Sequence, residues 1–371
     1  MAVRRVDPLN RRELARFARL ERELVGNHPR YVSELDADVR RYLAGRSVFT
    51  RGLDTALFVA SDATGRDVAR CAATVNPRFN DDHDERSGSV GWFAAASQKG
   101  EQVREMLAAA EEWLAERGME RALAPFNGSA LLGLGLRVDA YDEDPMFPLH
   151  WTPPYYPHEL ERAGYEPAYP YWEYWIDFSS ERYKEASRLA LANPAATVRP
   201  IDLKRWDEEL ALFVELFNEG FAEEWQFHPY TLDEFRELYG PSKRILDPDQ
   251  VLFAEVDGEP AGLCSGFPDW TPHFRRFGGK VGPRKVLRLL RTAKKYDRAG
   301  LVLIAVRPQF KGKGVAQALA AMLFRHYEKR RLPGAFYYLV NDANERSRRF
   351  AESFGGEGRI SYVVYEKKLA E

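Results

Sequence analysis

Apolar and polar positions repeat one succession of elements twice along the chain. "VRRVD" alternates as a strand does and precedes a helix with Leu14, Phe17 and Leu20 on one face. Further on, "TVRPID" precedes a helix carrying Leu210, Phe213 and Phe217 at the same spacing. Each half then predicts a hairpin, "ALFVASDATGRDVARCAATV" over 56–75 and "VLFAEVDGEPAGLCSGF" over 251–267. The second turns through Asp257-Gly258, a strong two-residue turn signal. A strand, a helix and a strand follow: "SVGWFA", "GEQVREMLAAAEEWLAERG" and "RALAPFN" in the first half, "LVLIAV", "GVAQALAAMLFRHYEKRR" and "GAFYYLVN" in the second. Both halves finish with a short helix and an aromatic strand.

The correspondence is close enough to predict a duplication. Phe58 is offset from Phe253 by 195 residues and Cys71 from Cys264 by 193, while Phe93 and Val306 differ by 213 and Asn127 and Asn341 by 214. Extra sequence around "HFRRFGGKVGPRKVLRLLRTAKKYDR" accounts for the jump. The linker "LANPAATVRP" separates the copies, which gives expected domains at 1–190 and 197–371, with a basic helical insertion near 274–298. Strands alternating with helices behind an opening hairpin predict an α+β fold, built twice.

Composition narrows this only a little. A chain of 371 residues exceeds one ordinary core, and 45% hydrophobic with 30% charged residues is globular. The net charge of −2 argues against global attraction to nucleic acid or membrane. Cys71 and Cys264 lie in strand-like runs and offer neither a disulfide framework nor a metal site. No segment has signal-peptide or membrane-span character, so the expected location is cytoplasmic.

The chemistry lies in "VRPQFKGKGVAQAL". An apolar strand meets Pro308, which cannot donate to a ladder, and a helix begins at Gly312–Val315. Glycines there let backbone amides converge on one concavity, and the helix N-terminus, Lys311 and Lys313 add positive charge. That combination suits a phosphate or pyrophosphate. The run lacks the G-x-x-x-x-G-K-[ST] of nucleotide triphosphatases and the third glycine of a dinucleotide fold.

The whole stretch resembles the acetyl-CoA loop of the GCN5-related N-acetyltransferases (GNATs). Val306, Pro308, Phe310, Lys311, Gly312, Gly314, Val315 and Ala316 carry the match. Lysine stands where the R/Q-x-x-G-x-G/A signature usually has arginine or glutamine. "VNDANERSRRFAESFGG" is similar to the family's strand-end asparagine and following helix, with Asn341, Asn344 and Ser347 in place. The resemblance covers Thr197–Leu369. It implies two GNAT-like domains, each a mixed, mostly antiparallel twisted sheet flanked by helices. Acetyl-CoA, or another acyl-CoA, would lie between two splayed strands. Backbone groups of Ala305 and Val306 would hold the pantetheine arm, and amides from Lys311 to Ala316 the pyrophosphate. Direct transfer to a small-molecule amine or a peptide would follow.

Several positions depart from the family. Ala351 occupies the place of the usual acid tyrosine, and Gly356 that of a usual phenylalanine. Tyr362 and Tyr365 are the nearby candidates for the acid, and both also read as half-buried strand aromatics. Glu223, Glu224 and Asp269 are candidates for the base, with Glu224 favoured. "GWFAAASQKGEQV" has Gly100 alone at the equivalent turn, so the first half reads as a degenerate copy without a good CoA site. The stretch following it, with Asn127, Asp139, Asp142, Asp144, His150, Tyr155 and Tyr156, reads either as part of an acceptor site or as a domain seal. The insertion holds ten Lys or Arg and one acid over an apolar stripe. A solvated face, an anion funnel, or a surface for RNA or acidic lipid fits it. Two other functions stay open beside acyl transfer: a non-catalytic CoA-binding module, and an aminoacyl or peptidyl transferase using charged tRNA. A homodimer is also left open.

Overall fold

A computed structural model describes residues 2–192 and 194–369, so Asn193 of the expected linker lies outside the described residues. The first half of the chain runs β1 (Ala2–Val6), α1 (Arg11–Val25), α2 (Asp36–Leu43), β2 (Asp54–Ser61), β3 (Asp67–Val75), α3 (Pro77–His83), β4 (Ser87–Ala95), α4 (Gly100–Ala115), β5 (Arg121–Ala124), β6 (Leu136–Arg137), α5 (Tyr156–Arg162), β7 (Glu166–Asp177) and α6 (Glu181–Ala192). The second runs β8 (Thr197–Pro200), α7 (Trp206–Phe221), α8 (Leu232–Tyr239), β9 (Val251–Val256), β10 (Glu259–Pro268), α9 (Thr271–Phe277), α10 (Pro283–Thr292), β11 (Ala299–Val306), α11 (Val315–Lys329), β12 (Gly334–Asn341), α12 (Glu345–Ser353) and β13 (Glu357–Lys368). The fold is α+β, with mixed, mostly antiparallel sheet flanked by helices.

Two compact units form, and they do not follow a cut between 190 and 197. Unit 1 comprises residues 1–170, 271–286 and 362–371; unit 2 comprises 171–270 and 287–361. The reason is strand pairing. Tyr365–Lys368 of β13 pair antiparallel with β5, and Tyr362–Val363 pair with β6, so the chain's last strand completes unit 1. Tyr171–Asp177 of β7 pair antiparallel with β12, so the last strand of the first half completes unit 2. Without its borrowed strand, β5 or β12 would present unpaired backbone groups at a sheet edge.

In unit 1, α1 is capped by Asn10, whose side chain accepts from the amides of Arg12 and Glu13. Its buried Leu14, Phe17 and Leu20 pack with Leu57, Val59 and Ala72 on one face of the sheet. Val103, Met106, Leu107 and Trp113 of α4 pack with Phe58, Cys71 and Val90 on the other. Unit 2 repeats the arrangement: Leu319, Leu323 and Phe324 of α11 pack with Ala254, Cys264, Leu301 and Ala335. Both cysteines are free and fully buried, and burial pushes both thiols far up. They are core side chains at matching positions of the two copies. Asp257 and Gly258 close the second hairpin with φ of 51° and 81°, as a type I′ turn requires.

Among the described residues each unit shows one parallel strand pair, and each pair parts early. β4 and β5 are in register only over Ser87–Ser89 against Arg121–Leu123, although β4 continues to Ala95. β11 and β12 are in register only at Gly300–Leu301 against Phe336–Tyr337, although β11 continues to Val306. Beyond those points one edge of β4 and one edge of β11 lose their ladder partner.

Candidate active site

Arg307 N–H donates to Ala261 O at 2.9 Å. Backbone groups alternate sides along an antiparallel strand, so Val306 turns its N–H and C=O to the opposite edge, the one β12 has left. Two close approaches fix the end of β11, one from β10 and one from α7. A Cβ on Gly262 would stand 2.6 Å from Ala305 O, and one on Gly220 of α7 2.6 Å from the Ala305 Cβ. Only glycine lets the neighbouring strand and helix come so near to Ala305.

The loop from Arg307 to Gly314 joins this edge to α11. Gly312 and Gly314 have φ of 79° and 81°, left-handed values that explain both glycines. Gly314 is the N-cap residue of α11, and its carbonyl accepts the first helical bond, from Ala318 N at 3.0 Å. Among the described residues, the amides of Gly312, Gly314, Val315, Ala316 and Gln317 have no backbone acceptor. They form an open anion cradle at a helix N-terminus. Arg307 is held away from it by Glu219 at 3.0 Å, by Glu259 at 3.6 Å and by Glu215. Lys311 reaches Glu223 at 3.0 Å, and Lys313 lies 5.4 Å over the Phe310 ring. Asn341 at the end of β12 is buried. Its Oδ1 accepts from Ala343 N at 2.8 Å, while its Nδ2 has no partner among the described residues. A donor orphaned in this way fits a ligand carbonyl or phosphate.

The acid and base candidates divide between the units. Glu224, half-buried beyond α7, accepts from Asn344 Nδ2. Asn344 also caps α12 by accepting from Ser347 N at 2.9 Å. Burial raises the Glu224 carboxyl above its ordinary value, against the Asn344 hydrogen bond and the Lys311 charge, which lower it. Glu223 goes the other way, lowered by Lys311. Asp269 is buried and paired with Arg298 at 3.4 Å. Tyr362 and Tyr365 belong to unit 1, opposite Arg137 and Ala124 in its sheet, where both are buried. A unit 2 phenol that the sequence did not mark is tied to the helix Asn344 caps: Tyr337 OH stands 2.5 Å from Ser347 Oγ, and burial pushes it up to about 12. Two successive strand tyrosines in "GAFYYLVN" gave no periodic cue to which one faces α12.

Unit 1 has the same frame in a different state. Cys71 and Cys264 correspond, and Ala69 pairs with Ala95 as Gly262 pairs with Val306. Ala96 N donates to Val68 O at 2.8 Å, as Arg307 N does to Ala261 O. Ala95 is therefore the counterpart of Val306, two residues beyond the Phe93 expected from the sequence. Ladder shifts at Arg70/Ala72 and Ser265/Gly266 hide that register in uniformly apolar strands. Ala95 N–H donates to Tyr156 OH at 3.0 Å, and Tyr155 OH donates to Ala95 O at 2.8 Å. Asn127 Oδ1 accepts from Trp92 N at 2.7 Å. The buried Glu159 carboxylate stands 3.0 Å from where a Cβ on Gly100 would lie, at the first turn of α4. One segment, Tyr155–Glu159, thus fills the strand edge and the helix N-terminus that unit 2 leaves open. The rest of that long loop is held by buried Arg137, which donates to the carbonyls of Asp139 and Glu143 at 3.0 Å each.

Residues 210–355 match the family model described as the acetyltransferase (GNAT) family. Residues 210–355 therefore form a domain of the GNAT family, whose fold generally binds acyl-CoA. Over its whole length it has the fold of tandem GNAT proteins. It covers 100% of its length and 99% of the other chain against a tandem GNAT protein from the clavulanic acid biosynthesis pathway, at TM-score 0.57 and 11% identity. A GCN5-related N-acetyltransferase from Sphaerobacter thermophilus aligns at TM-score 0.50 and 18% identity, over 100% of this chain and 96% of that one. By sequence, a bacterial ceramide synthase of Caulobacter vibrioides is 28% identical over 367 residues, covering 96% of this chain and 95% of the relative. Protein YghO of Escherichia coli is 22% identical over 97% of this chain and 94% of its own.

Proposed function

We propose that unit 2 binds acyl-CoA and that the protein transfers the acyl group to a primary amine by direct attack. The open edge at Val306, running into the unpaired amides of Gly312 and Gly314–Gln317, carries this reading. The edge suits a pantetheine amide and the cradle a pyrophosphate. Asn341 Nδ2 offers a further donor, and Lys311 a charge once released from Glu223. Bound acyl-CoA supplies an acyl thioester, activated toward an amine. Glu224 is the base: burial raises its proton affinity, and Asn344 fixes its orientation. Tyr337, protonated at neutral pH and joined to Ser347, is the acid for the departing thiolate. Unit 1 contributes no acyl-CoA site, because Tyr155, Tyr156 and Glu159 occupy the equivalent place.

The acceptor reading draws on the relatives. The Caulobacter protein is named a ceramide synthase, and a ceramide is the amide of a long-chain amino alcohol. A long-chain amine is therefore the favoured acceptor, and a long-chain acyl-CoA is favoured over the acetyl-CoA that the loop alone suggests. The test is release of free CoA from acetyl-, octanoyl- and palmitoyl-CoA, each with ethanolamine, a peptide amine and a sphingoid base. The expected result is turnover with the long-chain amine that rises with acyl length. Turnover limited to acetyl-CoA with small amines would overturn the chain-length reading, and no release with any pair would overturn the enzyme.

A further inference from the structure

We propose that α10 is a docking element for an anionic membrane surface. Among the described residues seven large hydrophobic side chains are exposed, and four of them, Val281, Val286, Leu287 and Leu290, fall within ten residues of sequence. α10 has no buried residue at all. Val286, Leu287 and Leu290 are 40%, 47% and 47% exposed and share one face through their i,i+3 and i,i+4 spacings. Leu289 is only half-exposed and Ala293 is buried, so the helix already has an inner side. The apolar triad is a more exposed sector beside that inner side.

Charge identifies what covers it. Arg284, Lys285, Arg288 and Arg291 fill the next sector of the same helix, again at i,i+3 and i,i+4 spacings. None of Arg284, Arg288 and Arg291 has an ion-pair partner among the described residues, in contrast to Arg275, which pairs with Asp144 at 2.8 Å. Arg276, Lys280, Lys294 and Lys295 extend the positive stretch to either side, and Asp297 is the lone acid. An apolar face beside a basic sector is the pattern of a helix lying in a bilayer interface, where leucines enter the acyl boundary and basic groups meet lipid phosphates. A nucleic acid would use the arginines and leave the leucines in water. A solvated helix needs no leucines there.

The helix is held for this role at both ends. Before it, α9 is fixed within unit 1: Thr271 Oγ1 donates to Pro145 O at 3.2 Å and Phe274 stacks on Phe147 at 4.5 Å. After it, Trp270 Nε1 donates to Ala293 O at 3.3 Å within unit 2. The proposal stands apart from the acyl-transfer reading, since it uses none of the same residues.

The test is flotation of the full chain with vesicles of phosphatidylcholine containing about a third phosphatidylglycerol, against phosphatidylcholine alone. Wild type should float with the anionic vesicles and not with the neutral ones. Leu287→Ser/Leu290→Ser and Arg284→Glu/Arg288→Glu should each weaken binding by about ten-fold or more. All changed side chains are exposed, so thermal melting should be unaltered and serves as the folding control. Three results would overturn the proposal: no binding by wild type, loss with the arginine variant alone, or tighter binding of single-stranded RNA that survives the leucine changes.

Discussion

The mouths of the two parallel strand pairs, one in each unit, show how one frame is either closed or left for a ligand. At β4, the freed edge is capped by two tyrosine hydroxyls and an asparagine amide, and a glutamate stands at the following helix N-terminus. At β11, the corresponding edge runs into two left-handed glycines and a row of unpaired amides. The backbone is alike in both. The difference lies in whether side chains of the same unit satisfy it. Buried polar groups are nearly always satisfied, so an edge left open marks where a ligand belongs.

The sharpest break of this comparison is Gly314→Glu. It forces a side chain into φ 81° and sets a carboxylate in the cradle. The left-handed strain alone costs about 1–2 kcal/mol, and with the added repulsion acyl-CoA affinity should fall at least about 100-fold. Gln98→Glu, at the exposed turn after β4, should leave affinity unchanged. Calorimetric titration of both variants checks the pair.

Glu224→Gln should lower kcat by about 10²–10⁴-fold with little change in affinity for acyl-CoA. A base must be deprotonated, so the wild-type rate should climb with pH through a value above the ordinary carboxylate pKa of about 4.3, and the variant should lose that limb. A pH–rate profile in single turnover reads this directly.

Tyr156→Phe leaves Ala95 N–H without its acceptor, which should destabilise the protein by about 1–3 kcal/mol in denaturant melts. Acyl-CoA binding should not change, since the closed mouth takes no part in it. The smallest effect concerns α11, whose first turn forms the open mouth. His326 and Arg330 near its end hold Asp247 down at about 2, His326 being the larger influence. This carboxylate is depressed on folding, so its contribution is present above an unfolded pKa of about 3.9 and is lost as pH falls toward 2. Asp247→Asn should cost about 1 kcal/mol at neutral pH, allowing for solvent screening, and should flatten the acid limb of stability.

Much of this contrast was legible in the sequence. Apolar periodicity marked the repeated elements, and the glycines, proline and lysines after Val306 marked the cradle, because local backbone needs select those residue types. The single Gly100 marked the other turn as different. What closes unit 1 was not legible. In sequence Tyr155 and Tyr156 read as part of an acceptor site or of a domain seal, and only folding brings them back to Ala95. The exchange of β7 and β13 was hidden for a related reason: alternation reports that a segment is a strand and which face is buried, not which distant strand it joins. Tyr362 and Tyr365 are near Asn344 in sequence, and their strand pairs within unit 1. Tyr337 is one of two adjacent strand aromatics, and its tie to Ser347 appears only once α12 is in place.

The central claim is that one chain holds two copies of the frame and one acyl-CoA site. Isothermal titration of the purified protein with a non-hydrolysable acyl-CoA analogue tests it most directly. The account predicts one equivalent bound per chain, none in Gly314→Glu and one in Gln98→Glu. Two equivalents in the wild type, or one that survives Gly314→Glu, would contradict it.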